Sequence, residues 1–347
     1  MDRKLKEYRI LNYNHDRSSL DVLFNNGAQV IDFFNEQLSE LNNIQLQVDQ
    51  NNSYKTRNCS NLKKEGNWVW YPWLNSLVHV LKESDFFEVK TARNKLLINK
   101  NEQLNFYNYK IGIAGLSVGN SIATTIKLQG GAKKIKIADH DTLSLSNTNR
   151  IKAGINNLGL KKTEITRRQI LEIDPYSDIS VYSDGINLNN VTDFINDIDL
   201  IIDEVDDFKI KILLREQARI KKIPLLMITD NDDGALIDYY PYNYIDKVPL
   251  FYNIADTILY NFLKKETITK QEMVQLSSEI VGKSNISKRM NTSLQLIGKE
   301  LYSWPQLGTA ATFSGVIGCY MVRMLANGQQ FNFNRKLISI NNLLECY

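Results

Sequence analysis

The sequence predicts an α/β protein built around a mostly parallel β-sheet with helices on both faces, together with a smaller N-terminal α+β region. The main observation is a regular alternation between residues 109 and 240, where short apolar segments are each followed by a segment with helical periodicity. Short strands that are apolar throughout are typical of parallel sheets buried on both faces. The first strand also runs into a glycine-containing turn before a helix.

Each element follows from its residues. The strands are short and apolar, the helices carry apolar residues at a spacing of three or four, and polar segments separate them. We expect one antiparallel strand after the parallel ones, and an apolar helix and a final strand near the C-terminus. The predicted strands are 110–115, 134–139, 178–182, 199–203, 224–229, 234–240 and 336–340, and the predicted helices are 120–128, 161–172, 191–196, 208–221 and 309–327.

The remaining segments lack this regularity. Near the N-terminus, residues 22–38 and 74–81 have helical periodicity, whereas residues 51–67 form a polar stretch typical of a loop. Residues 241–303 are rich in Asn, Lys and Ser, and we expect a helical insertion or a substrate-facing region there. The predicted organisation is an N-terminal module (1–90), a core domain (91–240), the insertion (241–303) and a C-terminal part that completes the core domain (304–347).

The composition narrows the class of function. A net charge of +3 with scattered basic residues gives no argument for a nucleic-acid partner. The apolar stretch 310–325 is too short and too interrupted by Ser, Gly and Arg to span a bilayer, so we expect a buried core helix and no membrane partner. Three cysteines, Cys59, Cys319 and Cys346, without a CxxC pair favour a reducing cytoplasm and exclude a structural zinc site of that kind.

The turn after the first strand has the sequence Gly115-Leu-Ser117-Val-Gly119. Backbone N–H groups in such a turn, at the start of a helix, bind phosphate oxygens. Asp139 ends the second strand about 20 residues later, where a carboxylate accepts hydrogen bonds from ribose hydroxyls. This Rossmann-like arrangement fits ATP, but it also fits NAD or FAD.

Three downstream segments are more specific. They read DHDTLSLSNTNR at residues 139–150, LGLKK at 158–162 and DEVDD at 203–207. Their order and spacing resemble the motifs D-x-D-x-V-x-x-S-N-L-x-R, G-x-x-K and D-x-x-D-N of the ThiF/MoeB superfamily, whose members include the ubiquitin-activating enzymes. The resemblance covers residues 109–240, and the segment 303–328 is similar to the closing core helix of the family.

The resemblance implies a site for ATP and Mg²⁺ that adenylates a carboxylate. Asp139 would hold the ribose, Asn147 and Arg150 would contact the triphosphate, Lys162 would neutralise it, and Asp206 would bind Mg²⁺. Fixed cations in a dry cleft stabilise the charge that grows on the phosphate oxygens as pyrophosphate leaves. The residues expected to contact the nucleotide are therefore Gly115, Ser117, Gly119, Asp139, Asp141, Asn147, Arg150 and Lys162.

Some positions depart from the family pattern. Arg93, in the segment TARNK, resembles the first arginine of an R-x-x-R element that reaches the phosphates, often from a partner subunit, but the second arginine is missing. The family usually has glycines at Ser117 and Val118 and an asparagine at Asp207. Asp206 also suits the N-cap of the helix 208–221, because aspartate is favoured there.

The cysteines bear on the fate of the acyl-adenylate. Residues 230–300 contain no cysteine, and Cys319 falls inside a predicted core helix, where a thiol is buried and inert. Cys59, in a polar loop, is the weak remaining candidate. An enzyme-bound thioester is thus disfavoured.

The segments GNWVWYPW (66–73), TARNKLLI (91–98), GLSVGNSIA (115–123) and MITDNDDG (227–234) resemble stand-alone bacterial ThiF-domain proteins. The missing catalytic cysteine and the size of residues 1–90 also resemble ThiF-like enzymes that mature ribosomal peptides, of the microcin C and pantocin type. These relatives imply a peptide or small-protein substrate, a homodimer, and a role for residues 1–90 in binding a leader peptide. Three other interpretations stay open: an activating enzyme for a ubiquitin-like or sulfur-carrier protein, an NAD- or FAD-dependent oxidoreductase, and a non-catalytic binding protein.

Overall fold

A computed structural model describes residues 6–48, 56–57, 61–265 and 269–345. The chain divides into two compact units, residues 1–100 and 101–347. Cys59 and Cys346 lie outside the described residues.

The first unit contains a four-stranded sheet with the strand order β1-β3-β4-β2. Strand β2 pairs with β4 in parallel, and the other pairs are antiparallel. Trp68, Trp70 and Leu77 pack with residues of the first helix in one core. The strands are β1 (Arg9–Leu11), β2 (Gln29–Asp32), β3 (Asn67–Tyr71) and β4 (Ser76–Val80), and the helices are α1 (Arg17–Asn25), α2 (Phe34–Val48) and α3 (Glu83–Lys90).

Two expectations for this unit are wrong. The segment 74–81 is a strand rather than a helix, and strand β2 interrupts the helix expected at 22–38. Leu74, Leu77 and Leu81 match helical spacing, but Leu74 is exposed in the turn before β4 and Leu81 follows the strand. The strand itself is buried on both faces, so its apolar residues do not alternate with polar ones as in a half-buried strand. Pairing with β3 and β2 selects the strand. His79 on β4, for which the sequence offers no partner, bonds Asp32 at 2.9 Å.

The second unit contains a seven-stranded sheet with the order β11-β10-β9-β8-β5-β6-β7. The five strands β5 to β9 are parallel, and β10 and β11 add antiparallel pairs at one edge. The strands are β5 (Ile111–Ala114), β6 (Lys134–Ala138), β7 (Asp178–Tyr182), β8 (Leu200–Asp203), β9 (Leu225–Asn231), β10 (Gly234–Tyr240) and β11 (Arg335–Ser339).

Helices cover both faces of this sheet. Residues of α5 and α12 share one buried core with the strands, and residues of α7 and α8 share a second. The helices are α4 (Lys100–Asn108), α5 (Val118–Leu128), α6 (Lys162–Ile173), α7 (Val191–Ile195), α8 (Phe208–Lys221), α9 (Asp256–Leu263), α10 (Lys270–Val281), α11 (Lys288–Leu296), α12 (Gly308–Ala326) and α13 (Ile340–Leu343). The predicted α/β class and the helical character of the insertion are confirmed.

Helix α12 packs closely against α5. A Cβ atom at Gly315 would lie 2.8 Å from the Ser121 carbonyl oxygen, so glycine allows the two backbones to approach. Among the described residues, α12 alone is long and apolar enough to cross a bilayer. Its contacts with α5 and the sheet confirm the predicted core helix.

The strand order positions the site. The chain leaves β5 toward β6 on one side, and β8 lies on the other side of β5. Such a switch point opens a crevice at the carboxyl ends of the strands. The turns after β5, β6, β8 and β9 therefore lie at the same end of the sheet, where the parallel strands have their carboxyl ends.

Candidate functional site

The turn after β5 is held tightly against the end of β8. Gly115 has a φ of +90°, and a Cβ atom there would lie only 2.2 Å from the carbonyl oxygen of Glu204. A Cβ atom at Gly119 would lie 2.7 Å from Cγ2 of Ile113. Both glycines are therefore required by the close packing of this turn. Helix α5 begins at Val118, two residues before the predicted start, with Ser117 at the N-cap position.

Asp139 fixes the geometry of two loops. Its carboxylate is buried and accepts hydrogen bonds from the backbone N–H of Leu116 at 2.7 Å and of Asp141 at 2.8 Å. One bond falls on each oxygen, so each keeps a lone pair for a further donor. Asp139 thus joins the turn after β5 to the loop after β6 and retains acceptor capacity for a hydroxyl group.

Asp141 and Lys162 form an ion pair across the site. The Lys162 ammonium donates to Asp141 Oδ2 at 2.7 Å, and the Lys162 backbone N–H donates to the Asp141 carbonyl at 3.0 Å. Partial burial works to raise the pKa of Asp141, but the hydrogen bond and the charge of Lys162 outweigh it and hold that pKa below its usual value. Lys162 is itself buried, so its position is fixed rather than mobile.

Arg150 reaches back to the turn after β5. Its Nε donates to Ser117 Oγ at 2.9 Å, and its guanidinium also donates to Asn149 Oδ1 at 3.0 Å. Burial lowers the pKa of Arg150, and the charges of Asp230 and Asp206 oppose that effect. The structure therefore brings Arg150, Ser117 and these two acids into one electrostatic neighbourhood.

Asp206 lies in the loop between β8 and α8, at the carboxyl end of the parallel strands. Its side chain is exposed to solvent, yet the protein surrounds it closely enough to raise its pKa by desolvation, against the charges of Lys211 and Lys162. Within the described part of the chain, its carboxylate has no hydrogen bond or ion pair. The helix cap predicted as an alternative is wrong for Asp206, because Asp207 accepts from the N–H groups of Lys209 and Ile210 instead.

The residues present fit ATP and Mg²⁺. Carboxylate oxygens are the preferred ligands of Mg²⁺, and Asp206 offers a free one beside two fixed cations. Asp139, His140 and Asp141 also place ligand atoms within 4.8 Å of one another. Asp141 already forms an ion pair with Lys162, so Asp206 fits the metal better.

Asn147 and Arg93 are placed differently from the other predicted residues. Asn147 Oδ1 accepts from the Ser144 N–H at 3.1 Å and so stabilises the local turn. Arg93 lies in a 3-10 turn, Ala92–Asn94, of the first unit. Their contacts with phosphates stay predictions.

Two acids of the cleft were missed in the sequence. Glu204 lies under the glycine turn; its carboxylate accepts from the Ile228 N–H at 2.8 Å, and burial raises its pKa well above the usual value. Asp230, near the end of β9, accepts from the Gln306 amide at 3.1 Å. Glu204 directly follows β8, and Asp230 lies near the end of β9. Their place at the carboxyl ends of parallel strands is the feature of the sequence that could have identified them.

Cys319 is buried in α12, as expected. Burial raises the pKa of its thiol to about 12, against the charge of Arg323. A thiol in this state is a poor nucleophile at neutral pH.

Part of the chain is similar to known proteins. Residues 91–229 match the model of the ThiF family. An uncharacterized protein of Mycobacterium tuberculosis, MT1398, is 28% identical over 91% of this chain and 42% of its own length. The Escherichia coli tRNA threonylcarbamoyladenosine dehydratase is 30% identical over 38% of this chain and 50% of its length. The probable molybdopterin-synthase adenylyltransferase of Porphyra purpurea is 31% identical over 31% and 28%. The chain spans half or less of the length of these relatives.

Solved structures share the fold. PaaA has a TM-score of 0.52 at 13% identity and covers 86% of this chain and 76% of its own. The E. coli dehydratase TcdA in complex with AMP has a TM-score of 0.51 at 19% identity, with 72% and 98% covered. E. coli MccB with MccA-N7isoASN has a TM-score of 0.51 at 15% identity, with 76% and 78% covered. At these identities, the likeness shows the fold alone.

Proposed function

We propose, from the premise that residues 91–229 form a ThiF-family domain, that this protein uses ATP and Mg²⁺ to adenylate a carboxylate on a peptide or a small protein. The observation that carries the proposal is the exposed Asp206, which has no partner among the described residues, near the fixed cations Arg150 and Lys162.

The chemistry suits this arrangement. A carboxylate oxygen of the substrate attacks the α-phosphorus of ATP, the bond to the bridging oxygen breaks, and pyrophosphate leaves with that electron pair. Negative charge grows on the phosphate oxygens during this step. Arg150, anchored by Ser117, and Lys162, anchored by Asp141, stabilise that charge without having to reorganise. Mg²⁺ held by Asp206 would supply further neutralisation of the pyrophosphate.

The nucleotide orientation follows from the remaining contacts. Asp139 holds the ribose through its free lone pairs, and the turn with Gly115, Ser117 and Gly119 faces the phosphates. Asp141 acts through Lys162 and is a positioning residue. Asn147 completes the loop that carries Arg150, and Arg93 approaches the phosphates from a second copy of the chain in a homodimer.

We further infer that no enzyme thioester forms. Residues 230–300 contain no cysteine, and Cys319 is buried with a raised pKa; Cys59, the weak remaining candidate, lies outside the described residues. We therefore favour consumption of the acyl-adenylate by a nucleophile of the substrate or of a third molecule. Maturation of a ribosomally made peptide in the cytoplasm is the version we favour, without a nucleic-acid or membrane partner. In the first unit, β2 is an edge strand, and its free backbone groups offer a place for an extended leader peptide to pair.

A second candidate is the activation of a ubiquitin-like or sulfur-carrier protein. The similarity to a probable molybdopterin-synthase adenylyltransferase favours it. Both candidates share the adenylation step and differ in the length of the substrate. No comparison supports an oxidoreductase.

The test is exchange of labelled pyrophosphate into ATP, with the full chain and a panel of carboxylate-bearing peptides and carrier proteins. Lys162→Ala is expected to lower the exchange rate by about 10²-fold or more. Lys161→Ala is the matched control, because the neighbouring Lys161 donates to the His140 carbonyl instead of to Asp141. Equal rates for the wild type and Lys162→Ala would contradict the assignment, and NAD binding in place of ATP would contradict the function.

A further inference from the structure

A cavity of about 170 Å³ lies at the carboxyl end of β9. One wall is formed by Asp230 and Asp232, at the turn that leaves β9. A second wall comes from helix α11 of the insertion, and a third comes from residues 305–307, which lead into α12. Three segments that are distant in sequence thus enclose one space.

The cavity adjoins the phosphate-facing residues. Asn149 Nδ2 donates to the Gln306 carbonyl at 2.8 Å, and a Cβ atom at Gly308 would lie 2.5 Å from the Asn149 carbonyl oxygen. Asp230 on the cavity wall also acts electrostatically on Arg150. The wall at residues 305–307 is therefore attached to the loop that carries Arg150.

Among the described residues, the acidic wall has no directly paired cation, and Arg150 acts on Asp230 from beyond ion-pair distance. Asp230 is 9% exposed, and the side chain that donates to both of its oxygens is the neutral Gln306, at 3.1 and 3.3 Å. Asp232 accepts from Ser287 at 2.8 Å. In the described part of the chain, no basic side chain lies within 4 Å of either carboxylate; Arg289, which also lines the cavity, is exposed.

A buried carboxylate without a cation is costly, and such a cost is commonly retained where a ligand supplies the missing charge. The lining also includes the apolar residues Met290, Pro305 and Leu307. A volume of about 170 Å³ has room for one side chain.

We propose that this cavity binds a lysine side chain of the substrate, with its methylene stem against Met290 and Leu307 and its ammonium group against Asp230 and Asp232. The proposal rests on the proposed function, because it takes the adjoining cleft as the place where the substrate carboxylate is activated. It makes Asp230 a specificity-determining residue and gives the helical insertion a role in choosing the substrate.

The test uses four-carbon probes that differ only in their head group: n-butylammonium, 1-butanol and butyrate. Binding to the full chain is followed by saturation-transfer NMR in the absence of nucleotide. We expect n-butylammonium to bind at least about tenfold more tightly than the other two, since only its head group carries the charge opposite to that of the carboxylates. Asp230→Asn and Asp232→Asn should each reduce this preference, whereas Arg289→Ala, which removes a cation from the lining, should keep or increase it.

Equal binding of the three probes, tighter binding of butyrate, or an unchanged preference in both aspartate variants would overturn the proposal. The two variants are independent, so one tests the cavity if the other does not fold. Nα-acetyl-lysine amide against glycine amide distinguishes a side chain from a terminal amine, and tighter binding of glycine amide would also overturn it. A separate ATP titration tests the cleft: ATP binding without an ammonium preference rejects the cavity alone, and the reverse result rejects the proposed function.

Discussion

Asp203 and Asp206 lie three residues apart in one motif and serve different ends. Asp203, at the end of β8, is fully buried; it pairs with the buried Arg215 and, at 3.4 Å, with Lys211. Asp206 is exposed and is unpaired within the described chain. Burying a charge requires an internal partner, whereas an open carboxylate stays available for a ligand. The fold depends on the first aspartate, and the proposed chemistry depends on the second.

The largest effect is expected at Asp203. Asp203→Asn leaves the Arg215 guanidinium buried without its anion, and breaking a buried pair in this way costs about 3–5 kcal/mol. Urea unfolding of the wild type and the variant measures the loss of free energy of unfolding.

The matched control for this prediction is the double variant Asp203→Asn with Arg215→Met, which removes both charges. It should be less destabilised than Asp203→Asn alone, because no uncompensated charge remains. A single variant as stable as the wild type would show that the pair does not hold the fold.

Asp206→Asn should have the opposite profile: activity is lost and stability is kept. We expect the exchange of pyrophosphate to fall by about 10²-fold or more, equivalent to roughly 2.7 kcal/mol in the barrier. The free energy of unfolding should stay within about 0.5 kcal/mol of the wild type, because the side chain has no internal partner to lose.

Asp207→Asn is the control for Asp206→Asn. It makes the same chemical change one residue later, and asparagine caps a helix as well as aspartate does. Its exchange rate should therefore stay near that of the wild type. Loss of activity in both variants, or in Asp207→Asn alone, would move the metal ligand away from Asp206.

Gly115 connects the two aspartates, because the turn after β5 rests on the backbone of Glu204 between them. Gly115→Ala adds a clash with that carbonyl to a positive-φ cost of about 1–2 kcal/mol. Gly159→Ala, at a φ of +81° with nothing within 4 Å of the new Cβ, bears the conformational cost alone. Gly115→Ala should lower both the free energy of unfolding and the rate of pyrophosphate exchange more than Gly159→Ala does. Equal losses would mean that the turn after β5 shifts to accommodate the new Cβ atom.

Much of the fold that places Asp203 and Asp206 can be predicted from the sequence. The sheet, α8 at residues 208–221 and β10 at 234–240 follow from local apolar patterns that are strong over whole elements. The segment 74–81 was misassigned because β4 is a short apolar strand buried on both faces, which periodicity alone does not distinguish from a helix. Pairing with β3 and β2 decides between the two.

The sequence predicts which residues form the site better than it predicts which of them contact each other. The sequence does not distinguish the cap at Asp207 from the free carboxylate at Asp206, since both precede the same helix. Asp230 and Gln306 meet across 76 residues, and no local pattern reports such a contact. The acidic cavity is invisible to the sequence for the same reason.

A third aspartate sharpens the comparison with the smallest expected effect. Asp197 is paired, like Asp203, but exposed, like Asp206: it accepts from Lys110 at 2.5 Å and from Lys134 at 2.6 Å. The hydrogen bonds from Lys110 and Lys134 lower its pKa to about 2. A carboxylate whose pKa is lower in the folded state stabilises the fold above its unfolded pKa of about 3.9, and this contribution is lost as the pH falls through about 2.

Asp197→Asn should therefore lower the urea midpoint only slightly at pH 7, because water and salt screen an exposed pair. Asparagine also tolerates the positive φ of +53° at this position, so the backbone is not strained. The difference between wild type and variant should shrink as the pH falls from 4 toward 2 and as salt is added. A difference as large as that of Asp203→Asn, or one that grows in acid, would mean that pairing rather than burial decides which aspartate the fold depends on.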